Sequence, residues 1–211
     1  MNLNFSDNEI HRRVRPHLNG RVFYHMTDIL LLCTANVCRS VMAQALLSRQ
    51  LNDRQVAALV RSAGMLDAGE PAAPGAVRAL AARGIDVSAH RSNQVGDHDL
   101  IGADLVVAMA REHLRHAVVL APQVWPRAFT LKELVRRGQI SGPRRTDQPL
   151  THWLAQLHEG RERLGLLGDC QSDNVADPIG GPPEAYVATA AQLDALLERL
   201  ADLAWGCESP R

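Results

Sequence analysis

The stretch Asp28-Ile29-Leu30-Leu31-Leu32-Cys33-Thr34-Ala35-Asn36-Val37-Cys38-Arg39-Ser40-Val41 changes character twice. Its continuous apolar run, Ile29 to Leu32, reads as a parallel strand buried on both faces. The run ends at Cys33, small polar residues follow, and Val41 to Leu51 then places Met42, Ala45, Leu46 and Leu47 at helical spacing. A link of five residues between a strand end and a helix start can aim successive backbone N–H groups at one point. That point also lies at the positive end of the helix, so it suits a tetrahedral oxyanion. Arg39 adds a planar fork of charged donors able to grip two oxygens of the same anion. The same field favours a thiolate on Cys33. A thiolate beneath a bound phosphoryl group is a nucleophile suited to covalent catalysis.

The rest of the chain supplies what such a strand needs. Val56 to Val60 reads as a second strand closing into Arg61-Ser62-Ala63-Gly64. An alanine-rich helix follows from Pro74 to Arg83, stopped by Gly84. Asp104 to Met109 reads as a third strand and Phe129 to Leu131 as a fourth, with a helix opening at Arg111 between them. Pro182-Pro183 begins a last helix whose Tyr186, Ala190, Leu193, Leu197 and Leu200 share one face. Short strands alternating with helices predict an α/β fold of three layers, a four-stranded parallel sheet covered by helices on both faces. A ligand in such a sheet sits at the carboxyl ends of the strands, where Cys33 is placed.

The run from Cys33 to Ser40 resembles the signature loop of the low-molecular-weight protein tyrosine phosphatases, usually C-x-G-N-x-C-R-S-P. The resemblance covers roughly residues 28–131 and 175–205. It departs at Ala35, where the family has Gly, and at Val41, where it has Pro. A glycine can take φ > 0 without cost, so Ala35 is expected to strain the loop. The resemblance implies the flavodoxin-like version of the fold, with Cys33, Arg39 and Asp177 catalytic. It makes Thr34, Ala35, Asn36, Val37, Cys38, Arg39 and Ser40 the phosphate-binding loop. Asp177, in Val175-Ala176-Asp177-Pro178-Ile179-Gly180-Gly181, would be the acid and base of a phosphocysteine mechanism. Ser62 and His90 would support the loop through Asn36, with Ser40 stabilising the thiolate. In the resembled family the two loop cysteines, here Cys33 and Cys38, pair reversibly and protect the nucleophile. Family members acting on phosphotyrosine carry aromatic residues after the Asp-Pro, where this chain has Ile179 and Gly180.

Composition bounds the partners. With 211 residues and 46% hydrophobic content the chain suits one sizeable domain. We read residues 1–27 as an N-terminal extension, 28–206 as the catalytic domain with a helical insertion at 132–170, and 207–211 as a tail. The helical piece of the insertion, from His152 to Leu167, caps the domain edge or forms a lid whose Arg136, Arg137, Arg144 and Arg145 face an anionic substrate. The polar N-terminus and the absence of a long apolar run predict a cytoplasmic protein. Zero net charge gives no reason to expect nucleic acid or a membrane surface as partner. The expected partners are a phosphorylated protein or a small phosphoester, with phosphate or another oxyanion in the site and the chain a monomer or weak homodimer. Neither the histidines nor Cys170 and Cys207 are spaced as metal ligands, so no metal and no other cofactor is expected. The runner-up activity is a small-thiol-dependent arsenate reductase, which shares the fold and the anion loop. The thioredoxin-coupled kind would need a close cysteine pair after the third strand, and Met109-Ala110-Arg111-Glu112 has none. A non-catalytic anion-binding module is the third reading.

Overall fold

The computed structural model describes residues 26–168 and 171–206. The N-terminal extension before residue 26, Cys170, Cys207 and the tail lie outside the described residues. Four strands form one parallel sheet in the order β2-β1-β3-β4: β1 Thr27–Cys33, β2 Ala58–Gly64, β3 Leu105–Ala108 and β4 Ala128–Thr130. The chain moves outward from β1 in both directions, so the switch in strand order falls between β1 and β3. Crevices that bind ligands in open α/β sheets form at that place.

The apolar run of β1 divides by period two. Ile29 and Leu31 face a core built with α1 (Arg39–Asp53), α2 (Pro74–Ala81), α5 (Leu131–Ser141), α6 (Leu150–His158) and α7 (Pro183–Trp205). Leu30 and Leu32 face the opposite layer, where α3 (Asp97–Gly102) supplies Leu100 and α4 (Arg111–Leu120) supplies Leu114, Ala117 and Val118. All four β1 side chains are essentially inaccessible, which explains why a strand with no polar alternation is stable here.

Two expectations are displaced by tertiary context. The second strand continues through Gly64 instead of turning at Arg61, because it pairs with β1 over its whole length. β2 is the sheet edge, and there Arg61 is neutralised by Asp28 and Asp99, so a charge does not end the strand. The fourth strand stops at Thr130, whose hydroxyl accepts from the Glu133 amide and caps α5. Asp97–Gly102 forms a short helix whose Asp99 side chain accepts from the Gly96 amide.

Within 132–170, α6 ends at His158, well short of Leu167, and Gly160 takes φ 71°. Arg161 then enters the interior between the rings of Trp125 and Phe129 and pairs with Glu133. Burial lowers the pKa of this guanidinium, and Glu133 opposes the shift. The arginines read as lid candidates serve the fold. Arg136 binds Asp173, Arg137 bonds Glu133 and two carbonyls, and Arg144 bonds the carbonyls of Ala204 and Gln148. Arg145 pairs with Asp147. No helix among the described residues is long and apolar enough to cross a membrane.

Candidate active site

Cys33 closes β1 at the carboxyl edge of the sheet and Arg39 opens α1, so the residues between them must reverse within one loop. Asn36 makes that reversal, at φ 52°. The strain expected at Ala35 is therefore absent: Ala35 is not in the left-handed region. Asparagine tolerates that region better than alanine, which removes the need for glycine one position earlier.

Asn36 is fully buried and uses every polar atom of its side chain. Its Nδ2 donates to Ser40 Oγ at 2.9 Å and Ser62 Oγ at 2.8 Å, and its Oδ1 accepts from the Asn93 amide at 2.9 Å. His90 Nε2 donates to the Asn36 carbonyl at 2.8 Å. The Asn36 amide can only donate to Ser40, which leaves the Ser40 hydroxyl proton free to be donated to Cys33 Sγ, 3.0 Å away. Ser62 likewise passes its proton to Gln44 Oε1 at 2.6 Å. The result is an oriented network that ends on the cysteine sulfur, with each donor matched to an acceptor. Two more loop carbonyls face outward as well: Thr34 accepts from Met65 and Leu66, and Val37 from Ala73. Peptide planes whose oxygens face outward turn their N–H groups toward the loop interior.

Asp177 lies over this loop. Arg39 Nη2 donates to Asp177 Oδ2 at 2.5 Å and to Thr34 Oγ1 at 3.0 Å, while Nη1 reaches the Val175 carbonyl at 3.5 Å. The arginine side chain is 6% exposed and the aspartate 36%, so the carboxylate is the solvent-facing half of the pair. Cys33 and Cys38 are both free and buried. Burial, then the negative charges of Asp177 and Cys33, push the Cys38 thiol up to about 12 against the opposing effect of Arg39. Cys38 is consequently a neutral thiol. A cleft of about 530 Å³ opens beside Arg39 and Asp177, bordered by Glu112 and Arg115 of α4 and by Asn174.

Residues 28–165 match the family model described as low molecular weight phosphotyrosine protein phosphatase. The chain belongs to this family. A protein-arginine-phosphatase of Geobacillus stearothermophilus is 34% identical over 82% of this chain and 93% of its own length. A solved low molecular weight protein tyrosine phosphatase from T. tengcongensis is 32% identical, with a TM-score of 0.64, over 83% of this chain and 98% of that one. A solved YwlE arginine phosphatase, a mutant with a phosphorylated active-site serine, is 30% identical with a TM-score of 0.63 over 83% and 94%. The protein is thus a cysteine-dependent phosphatase of the low molecular weight family, and the arsenate reductase reading is not favoured.

Several residues around this phosphatase loop were not evident from the sequence. Gly64, paired with Cys33 in the ladder, lies against the loop backbone. A Cβ there would stand 2.7 Å from the Asn36 nitrogen and 2.8 Å from the Ala35 carbonyl carbon. Asp173 anchors the segment that carries Asp177, binding Arg111 at 3.0 Å and Arg136 at 2.8 Å. Burial raises the Asp173 pKa, but the bonds from both arginines outweigh it and hold the carboxyl below its ordinary value. The Arg111 amide donates to Asn174 Oδ1 and the Val175 amide to the Met109 carbonyl, so β3 and α4 support the same segment. Gln44 and Asn93 complete the network around Asn36. An aspartate before Asp-Pro and a glycine at a strand end are too common in sequence to signal these contacts.

Proposed function

We propose that this phosphatase removes phosphoryl groups from protein phosphotyrosine through a phosphocysteine intermediate, in the cytoplasm and as a monomer or weak homodimer. The observation that carries the reading is Asp177 bound to the same arginine that closes the loop over Cys33. The Cys33 sulfur attacks phosphorus as the bond to the leaving oxygen breaks, and Asp177 gives that oxygen a proton. Water then attacks phosphorus, Asp177 takes its proton, and the sulfur–phosphorus bond breaks to release phosphate. Arg39 and the loop N–H groups of residues 34–40 hold the three remaining oxygens, and the Ser40 hydroxyl stabilises the departing thiolate. Asn36, Ser62 and His90 hold the loop in shape for the anion.

Protein phosphoarginine is the second reading, and the cleft favours it. Among the described residues no aromatic side chain lines the cleft, whereas Glu112 and Asp177 do, beside Arg39 and Arg115. The two carboxylates can pair with a guanidinium, whereas a phenyl ring would find no ring to stack on. Two relatives that align over most of their length are named arginine phosphatases.

The test is hydrolysis of p-nitrophenyl phosphate by the wild type, Cys33→Ser and Asp177→Ala, with arsenate reduction assayed in parallel. Loss of turnover in the serine variant and a fall of about a hundredfold or more in the alanine variant is the expected result. Thiol-dependent arsenate turnover without hydrolysis would overturn the reading. Phosphotyrosine and phosphoarginine peptides of one sequence, compared by kcat/KM, decide the side chain.

A further inference from the structure

His113, the third residue of α4, is completely buried beneath the loop, and the chemistry above gives it no task. Its Nε2 stands 2.9 Å from Thr34 Oγ1 and 3.3 Å from Glu112 Oε1. Its Nδ1 is buried without a hydrogen-bond partner among the described residues. These contacts settle where the ring proton sits. A carboxylate oxygen only accepts, so Nε2, facing a carboxylate and a hydroxyl oxygen, carries the hydrogen. The opposite tautomer would bury an unsatisfied N–H at Nδ1, a rarer and costlier arrangement than a bare acceptor. Burial first, then the charges of Arg39 and His116, lower the His113 pKa to about 3, so the ring is neutral and carries a single N–H.

The tautomer decides what Thr34 can do. Its hydroxyl oxygen accepts from His113 Nε2 and from Arg39 Nη2, which occupies both lone pairs. Its own proton is then uncommitted. Arg39 Nη2 is also the atom that meets Asp177, so Thr34 stands beside the place where the acid works. We propose that His113 is a positioning residue of the phosphate site, donating to Thr34 Oγ1 and thereby fixing the acceptor that orients Arg39. The same bond leaves the Thr34 hydroxyl proton free to be donated to an oxygen of the bound phosphoryl group. This assigns a task to the Thr34 side chain in addition to its backbone, and it rests on the phosphatase reading of the site.

Four variants test it: Thr34→Val, Thr34→Ser, His113→Met and His113→Gln. Each is measured for kcat and KM on p-nitrophenyl phosphate, for affinity toward inorganic phosphate by calorimetry, and for thermal stability. Glutamine can donate an N–H to Thr34 from nearly the position of Nε2, whereas methionine fills the same space without a donor. The expected result is a kcat about tenfold lower and a phosphate Kd a few-fold higher in Thr34→Val and His113→Met. His113→Gln and Thr34→Ser should recover to within about threefold of wild type, and the Val/Met double variant should be no worse than Thr34→Val alone. Equal loss in His113→Met and His113→Gln, or a double variant that multiplies the two losses, would overturn the proposal and leave His113 a packing residue. If the wild type hydrolyses nothing, the phosphatase reading fails while the phosphate affinities still decide the role of His113.

Discussion

The two loops that meet at Arg39 are built on opposite principles. The loop from Cys33 to Ser40 is over-determined: its Asn36 is bonded by Ser62, His90 and Asn93, Gln44 holds Ser62, and Gly64 lies against the loop backbone. The segment carrying Asp177 is held most firmly on the side that precedes the acid. Asp173 is clamped there by two arginines, while the far end runs through Pro178, the exposed Ile179, and Gly180 at φ 73°. A charge-binding cradle works when its dipoles need no rearrangement. An acid that must meet first a leaving oxygen and then water gains from a longer tether. On the proposed mechanism, rigidity is greatest where the anion would sit and less where protons would move.

Substitutions that break the contrast should scale with it. The largest effect is expected at Asn36→Ala, which leaves the donor or acceptor partners on Ser40, Ser62 and Asn93 unpaired and puts alanine at a left-handed position. A fall in kcat/KM of about a thousandfold follows if loop geometry governs the chemistry, and steady-state kinetics would show it. Gly64→Ala should come next, at about a hundredfold, because the added methyl meets backbone atoms that cannot rotate away. Its crystal structure would show the loop displaced from β2. Asp173→Asn acts on the other region. It should lower kcat by about tenfold while leaving phosphate affinity unchanged, and cost about 2 kcal/mol in denaturant unfolding. An equal loss of phosphate affinity in Asp173→Asn would erase the distinction between the two regions.

Much of the rigid region was legible in the sequence and little of the tethered one. An uninterrupted apolar run ending in a cysteine specifies a buried parallel strand, and its sheet edge fixes where an anion can bind. Ser62 and His90 could be named only through resemblance, since their partner is a loop asparagine far away in sequence. The position of the left-handed residue was misjudged because propensity favours glycine, while a fully bonded asparagine side chain outweighs that preference at Asn36. The anchor of the acid segment was hidden for a different reason. Asp173 gains its importance from Arg111 and Arg136, which lie on α4 and α5 and approach it only after the sheet has closed.

The smallest effect separates these regions by pH. His113 is neutral when folded, with a pKa near 3 set by burial, Arg39 and His116, and about 6.5 when unfolded. Between those values the unfolded chain binds the extra proton, so stability falls as the pH drops from about 6.5 toward 3. Near pH 5 the loss amounts to about 2 kcal/mol, and His113→Gln should flatten that part of the curve. Asp173 has a folded pKa below its ordinary value, so its contribution is present above the ordinary carboxylate range and is lost at lower pH than the onset for His113. Urea unfolding across pH 2 to 7 reads both.

The central claim is that Cys33 becomes covalently phosphorylated within the loop while Asp177 governs the arrival and departure of that group. The most direct measurement is rapid acid quenching of Asp177→Ala during turnover of a phosphorylated substrate, followed by mass spectrometry of the peptide that contains Cys33 and Cys38. The account predicts one phosphoryl group on Cys33 and none on Cys38. Phosphate on another residue, or substrate turnover with no covalent adduct at any time, would contradict it.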